Sequence, residues 1–199
     1  MLVFTKKKLV LMAMPKTGTT ALEAALAPKA DIVLRDPPIL KHTPAYRYNR
    51  KLRPYLEACG FDDLELACVV RHPIGWLGSW YRYRQRADKD GSPNSTKGIT
   101  FDDFVNEYAK GSPAPWAHVG SPERFLRRGS GEIIVDHLFQ YEQFDKFTDF
   151  LLDRLDLDEI ALKQRNVSPD GDLTLSDKTE AKLIRKRPEM YSDWEMARR

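Results

Sequence analysis

The amino-acid sequence predicts an α/β fold: a single domain, residues 1–199, in which helices flank a parallel sheet. The length of 199 residues suits one domain, and no repeat or linker divides the chain. Four short, mainly apolar runs alternate with segments of helical periodicity along the chain. Such alternation is typical of a parallel sheet that helices cover on both faces.

The four apolar runs are the predicted strands. They lie at residues 9–14 (LVLMAM), 30–36 (ADIVLRD), 64–70 (LELACVV) and 132–138 (EIIVDHL). The predicted helices cover residues 17–27, 45–59, 73–87, 101–110, 141–155 and 176–199. Pro73 suits a first helical turn, Thr100 is placed to cap the fourth helix, and Pro188 should interrupt the last one.

The composition describes an ordinary globular chain. Its formal net charge of +3 is too small to indicate nucleic acid as a partner, although it allows a local basic site for a small polyanion. Two cysteines do not make a disulfide framework, and Cys68, inside an apolar run, is expected to be a packing residue. We find no signal peptide and no run of about 18 apolar residues, so we expect no transmembrane segment and a cytoplasmic protein.

The turn after the first strand, PKTGTT at residues 15–20, has the composition of an anion-binding loop. Its glycine permits a sharp turn, and the helix that follows directs backbone N–H groups and its positive dipole end at one anion. Three hydroxyl groups and a lysine add donors and a cation. The alternative is a plain strand-to-helix turn with a solvated lysine. The predicted ligand residues are Lys16, Thr17, Gly18, Thr19 and Thr20.

This loop does not have the order of residues that a nucleoside triphosphate site needs. A P-loop places its lysine after the last glycine and follows it with the Ser or Thr that holds Mg²⁺, whereas Lys16 precedes Gly18. No G-x-G-x-x-G dinucleotide fingerprint occurs either. The order favours a single phosphate held without a metal.

A second turn, RHPIGWLGSW at residues 71–80, follows the third strand. Arg71 ends the strand, and Ser79 lies on the next helix, roughly 9 Å from Pro73 along the axis at ~1.5 Å per residue. An extended arginine covers most of that gap, so guanidinium and hydroxyl can hold one phosphate together. On the same helix, Trp76, Trp80 and Tyr83 share a face that we expect to pack in the core rather than stack on a ligand.

The two turns together predict a ligand with two well-separated phosphate groups. In open α/β sheets, ligands bind beyond the carboxyl ends of the strands, and both turns occupy such positions.

On these residues the chain resembles the sulfotransferase superfamily that uses 3′-phosphoadenosine 5′-phosphosulfate (PAPS) and releases adenosine 3′,5′-bisphosphate (PAP). PKTGTT resembles that family's 5′-phosphosulfate loop, and RHPIGWLGSWY resembles its 3′-phosphate motif. The resemblance implies a P-loop-like fold of the sulfotransferase and nucleotide-kinase type, with no metal. It also implies that the loop at residues 16–20 binds the 5′-phosphosulfate, that Arg71 and Ser79 bind the 3′-phosphate, and that Lys16 stabilises the leaving phosphate.

The resemblance also suggests a catalytic base. LKHTP, residues 40–44, is similar to the family's K-T-H-L-P segment with one residue missing, and it makes His42 the first candidate and Lys41 a further catalytic candidate. His118 and Glu23 are the alternatives for the base. On an extended chain the neighbours Lys41 and His42 would point in opposite directions.

Other family features are absent or uncertain. Ala21 replaces the tryptophan that often stacks on adenine, the C-terminal glycine-rich basic motif is missing, and adenine contacts stay unassigned. In RNVSP, residues 165–169, Arg165 is a candidate for an extra phosphate contact.

The acceptor is expected to bind between two turn-rich loops, residues 88–98 and 111–122. A small molecule, a carbohydrate and a lipid headgroup all stay open as acceptors, and the oligomeric state stays open too. Two other functions compete with sulfotransfer: a PAP-binding module without catalysis, and an ATP-dependent small-molecule kinase that would need Mg²⁺.

Overall fold

The computed structural model describes residues 1–129, 131–162 and 171–197. A five-stranded sheet lies at its centre, with strand order β3-β1-β2-β4-β5. The strands are β1 (Leu2–Phe4), β2 (Leu9–Leu11), β3 (Ile32–Val33), β4 (Glu65–Val70) and β5 (His137–Gln140).

Helices flank the sheet, so the α/β fold class is confirmed. They are α1 (Thr19–Leu26), α2 (Pro38–Lys41), α3 (Ala45–Arg47), α4 (Arg53–Ala58), α5 (Pro73–Arg84), α6 (Phe101–Tyr108), α7 (Pro122–Leu126), α8 (Phe144–Leu155), α9 (Asp177–Lys186) and α10 (Pro188–Met196). Thr100 caps α6 by accepting a hydrogen bond from the Asp103 N–H, as predicted. None of the helices in the described ranges is long and apolar enough to cross a membrane.

The sheet is mixed, which corrects the prediction of a parallel sheet. β2, β4 and β5 pair in parallel, but β1 pairs antiparallel with both β2 and β3. β1 and β2 form a hairpin through the turn at residues 5–8, in which Lys8 has a φ of 49°. The prediction missed β1 because its three residues stand directly before a cluster of lysines.

The last strand is also displaced from its predicted position at residues 132–138. β5 begins at His137, and of the earlier apolar residues Ile133 forms only an isolated bridge with Arg127. Asp136 fixes the start of the strand, because its carboxylate accepts a hydrogen bond from the Leu66 N–H at 2.7 Å and its own N–H donates to the Leu66 carbonyl at 3.0 Å.

Both faces of the inner strands β1, β2 and β4 are buried. On one face Val10, Leu66 and Cys68 pack against residues of α4 and α7, and the complete burial of Cys68 confirms its packing role. On the other face Leu11 and Val69 pack against α1 and α8. A third cluster joins α5, α6, α9 and α10. The parallel strands β2 and β4 therefore present their carboxyl ends between α1 and α5, where the two predicted turns lie.

Candidate functional site

The loop between β2 and α1 is held in a shape that its sequence dictates. Lys16 and Gly18 have φ angles of 69° and 75°, a left-handed conformation that glycine adopts without strain. A Cβ atom at Gly18 would also lie 3.3 Å from the Phe144 ring. The Thr17 hydroxyl, completely buried, donates to the Met14 carbonyl at 2.9 Å. Thr17 thus fixes the loop from inside.

The first turn of α1 has the donors that an anion site requires. Gly18 is the N-cap residue and has no side chain of its own to cap the helix, and the N–H groups of Ala21 and Leu22 bond to the Gly18 carbonyl. Within the described chain, the N–H groups of Gly18, Thr19 and Thr20 have no hydrogen-bond acceptor. These three amides stand at the positive end of the helix dipole.

The Lys16 ammonium rests on two aromatic rings of α5. Its Nζ atom lies 3.4 Å from the centroid of Tyr83 and 4.5 Å from that of Trp80, which are cation–π contacts. Burial, reinforced by the neighbouring cations Arg86 and Arg84, lowers the pKa of Lys16 from 10.5 to about 7. Lys16 therefore sits among positive charges that an anionic ligand would neutralise.

The structure brings Arg71 to the same loop. Its Nη1 atom lies 3.5 Å from the Lys16 carbonyl oxygen, and its guanidinium stacks 4.4 Å from the Tyr141 ring centroid. The Nε atom is buried without a hydrogen-bond partner among the described residues, and burial lowers the pKa of the guanidinium. Arg71 is thus a partly buried cation with a weak hydrogen bond from Nη1 and, among the described residues, an unused donor at Nε, an arrangement that favours binding of an anion.

Ser79 lies where the sequence places it, half-buried on α5 and two turns beyond the strand end. Gly75 lets Arg71 lie close to the first turn of that helix, because a Cβ atom there would come within 3.2 Å of the Arg71 Nε. Arg71 and Ser79 therefore both lie in the segment that runs from the end of β4 into α5.

The aromatic face of α5 has two roles, of which the sequence indicated one. Trp76 is buried as expected, and its indole N–H donates to the Pro15 carbonyl at 3.0 Å, which ties α5 to the loop. Trp80, expected in the core, packs against the buried cluster and also offers a ring face to Lys16, as does the half-buried Tyr83. The i, i+4, i+7 spacing of these aromatics predicts that they share one face of the helix, but it does not show which residue that face contacts.

Lys41 and His42 do not lie on an extended chain, which corrects that expectation. Lys41 is the last residue of the short helix α2, and His42 is its C-cap. The Lys41 Nζ atom lies 3.2 Å from the Thr20 hydroxyl and 3.0 Å from a carboxylate oxygen of Glu23. Prolines 37 and 38 favour this helix start. The side chains of Lys41 and His42 consequently both lie near the end of β2 and the start of α1.

His42 is anchored directly before the loop. Its Nδ1 atom lies 2.6 Å from the Ala13 carbonyl oxygen. Because a carbonyl only accepts, Nδ1 carries the proton and Nε2 keeps its lone pair. Burial lowers the pKa of His42 below 6.5, despite the opposing effect of the Ala13 bond. His42 is thus a neutral imidazole near pH 7, the form that a general base requires.

The alternative bases lie in different surroundings. Burial alone would raise the pKa of Glu23, but hydrogen bonds with Lys41 and Arg35 outweigh it and lower the pKa. Glu23 is therefore an ion-paired, weakly basic carboxylate. His118 is exposed and lines a cavity, and its carbonyl accepts a hydrogen bond from Arg84 at 2.8 Å.

That cavity has a volume of about 360 Å³ and opens beside the loop. Met14 and Pro15 form part of its wall, and much of the rest comes from residues 111–122, one of the two predicted acceptor loops. The other loop, residues 88–98, does not line it. Lys89 of that loop instead approaches the Tyr83 ring, with its Nζ atom 5.5 Å from the centroid.

Arg165 lies outside the described residues. The comparisons add no relatives: no protein-family model, no curated protein and no solved structure matches this chain.

Proposed function

We propose that this protein is a PAPS-dependent sulfotransferase with a P-loop-like nucleotide site. The observation that carries the proposal is the meeting of Arg71 with the Lys16 loop at the carboxyl ends of the adjacent parallel strands β2 and β4. A guanidinium nitrogen and three helix-terminal amides, all without hydrogen-bond partners in the described part of the chain, are the two proposed anion sites at one end of the sheet.

The proposal assigns PAPS one orientation across these two sites. The 5′-phosphosulfate binds the amides of Gly18, Thr19 and Thr20, with the Thr20 hydroxyl and Lys16 beside it. The 3′-phosphate binds Arg71 and Ser79. The proposed step uses no metal ion.

The reaction is an in-line displacement at sulfur. A hydroxyl or amine of the acceptor attacks the sulfuryl group, the bond from sulfur to the bridging oxygen of the 5′-phosphate breaks, and PAP leaves with those electrons. His42 takes the acceptor proton on Nε2. Lys16 leaves the ring faces of Trp80 and Tyr83 and stabilises the charge that grows on the leaving oxygen.

A transfer assay tests the proposal directly. The protein is incubated with ³⁵S-labelled PAPS and fractionated cell extract, and we expect label to enter one acceptor fraction without added Mg²⁺. PAP binding with no transfer into any fraction would identify a non-catalytic PAP-binding module. Binding of ATP with Mg²⁺ in preference to PAP would identify a kinase.

Arg71→Ala is expected to weaken PAP binding by about 1.5–3 kcal/mol, which is roughly 10- to 150-fold, because it removes a charged hydrogen-bond partner of the 3′-phosphate. Adenosine 5′-phosphate lacks that phosphate, so we expect its affinity to change by less than about threefold. Isothermal titration calorimetry with both nucleotides measures the difference.

The matched control for this pair is Arg50→Ala, which removes an exposed arginine outside the site. It should leave both affinities unchanged. If Arg71→Ala weakened the two nucleotides equally, Arg71 would not bind the 3′-phosphate.

PAP affinity is expected to fall as the pH rises above about 7, the pKa of Lys16 in the free protein. A bound phosphate favours the charged ammonium and raises the pKa of Lys16. At any pH between the pKa of the free protein and the pKa of the complex, binding of PAP therefore takes up a proton. The affinity then falls by at most about tenfold per pH unit. Calorimetry between pH 7 and 9, in two buffers of different ionisation enthalpy, measures the PAP affinity and the number of protons taken up on binding.

In Lys16→Ala this proton uptake should disappear, whereas Lys6→Ala, at the opposite end of β2, should retain it. An unchanged slope in Lys16→Ala would show that another group titrates.

A further inference from the structure

The cavity beside the loop contains cationic groups that the proposed nucleotide site does not use. Its walls are largely apolar and aromatic, with Met14, Pro15, Trp76 and Phe125 among them, and its polar groups include Arg124 and Arg187. A volume of about 360 Å³ lies in the lower part of the range of small-molecule sites, about 300–1,000 Å³. The cavity can therefore enclose a compact ligand.

Arg187 joins α9 to α10 and has weak partners. Its side chain is 21% exposed, its nearest carboxylate oxygen, on Glu123, is 3.7 Å from Nη1, and Nη2 lies 3.4 Å from the Lys110 carbonyl. Its Nε atom is buried without a hydrogen-bond partner among the described residues. The guanidinium also lies 5.3 Å from the Tyr108 ring centroid. A desolvated guanidinium with unused donors is costly unless a ligand engages it.

Two further donors line the same cavity. Arg124 is exposed and makes no hydrogen bond or ion pair with any residue in the described ranges. The Ser121 hydroxyl is buried and lacks a partner there. Glu123 offsets the charge of one of the two arginines. Among the described residues Arg124 has no ion-pair partner, and a single unpaired cation matches a monoanion.

We infer that the cavity binds an acceptor with a compact apolar or aromatic body and one carboxylate, held by Arg187 and Arg124. A planar carboxylate matches the bidentate geometry of a guanidinium, and its single charge balances the site. Pro15 lines the cavity and directly precedes Lys16 in the chain, so a molecule bound there with its carboxylate on the arginines can turn its hydroxyl end toward the loop. The assignment of this molecule as the acceptor rests on the proposed sulfotransferase function.

Matched pairs of ligands test the inference. The probes are 4-hydroxybenzoate, 3-(4-hydroxyphenyl)propionate and 6-hydroxy-2-naphthoate, each with its methyl ester, titrated without nucleotide by ligand-observed NMR. We expect at least one acid to bind at least tenfold more tightly than its ester. Arg124→Gln removes a side chain without described contacts, so the fold should persist, and this preference should fall below about threefold; Arg187→Gln should do the same.

The matched control, Arg50→Gln, should keep the preference. The inference is overturned if no acid binds, if acids and esters bind equally, or if both cavity variants retain the full preference. Because the titration contains no nucleotide, its failure is separable from that of the proposed function. A preference for acids without PAP binding would support the anion-binding cavity and contradict the proposed sulfotransferase function. PAP binding without a preference for acids would support the nucleotide site and overturn the inference about the cavity.

Discussion

Lys16→Ala is expected to lower the kcat of sulfuryl transfer by about 10²- to 10³-fold, the typical loss when one preorganised donor to a developing anion is removed. Lys16 belongs to the loop that we propose binds the 5′-phosphosulfate, and its ammonium lies over the Trp80 and Tyr83 rings. Negative charge on the leaving oxygen grows only as the bond to sulfur breaks. The interaction therefore strengthens in the transition state, and kcat falls more than PAP affinity. The ³⁵S transfer assay under saturating PAPS measures this kcat.

Lys6→Ala is the control, because Lys6 is exposed in the turn before β2, at the far end of that strand. It should retain full activity. The Lys16→Ala protein should show an unchanged far-UV circular dichroism spectrum, because the contacts of the ammonium with the described residues are ring contacts alone. Transfer within about threefold of the parent rate would contradict the role given to Lys16.

His42→Ala is expected to reduce kcat by about 10²- to 10⁴-fold, the usual contribution of a positioned general base. The bond from Nδ1 to the Ala13 carbonyl fixes the tautomer, and burial keeps the ring neutral. PAP affinity should stay within about threefold, because the proposed phosphate ligands lie elsewhere. The transfer assay and PAP calorimetry together measure this split between turnover and binding.

His118→Ala is the paired variant, since His118 lines the cavity and is the competing base. We expect it to lower kcat by less than about tenfold. The reverse pattern, with His118→Ala nearly inactive and His42→Ala active, would transfer the role of base to the cavity histidine.

The sequence predicted the fold class and the positions of both turns because these depend on local patterns. Continuous apolar runs at residues 9–14 and 64–70 coincide with the central parallel strands β2 and β4. Gly18 and Pro73 mark the starts of α1 and α5, where their backbone preferences are strongest.

Features that depend on tertiary contact were less accessible. β1 has three residues, and only its pairing with β2 and β3 makes it a strand. The contact of Trp80 and Tyr83 with Lys16 depends on how α5 packs against the loop. The cavity cation Arg187 lies far along the chain from the loop, and no local pattern joins it to residues 111–122.

A crystal structure of the complex with PAP tests the central claim most directly. We predict the 3′-phosphate within hydrogen-bond distance, about 2.7–3.2 Å, of the Arg71 guanidinium and the Ser79 hydroxyl. The 5′-phosphate should lie on the amides of residues 18–20, with the Lys16 ammonium moved from the Tyr83 ring to the phosphate. An Arg71 side chain still stacked on Tyr141 with no phosphate beside it, or PAP bound away from the loop, would contradict the two-site account.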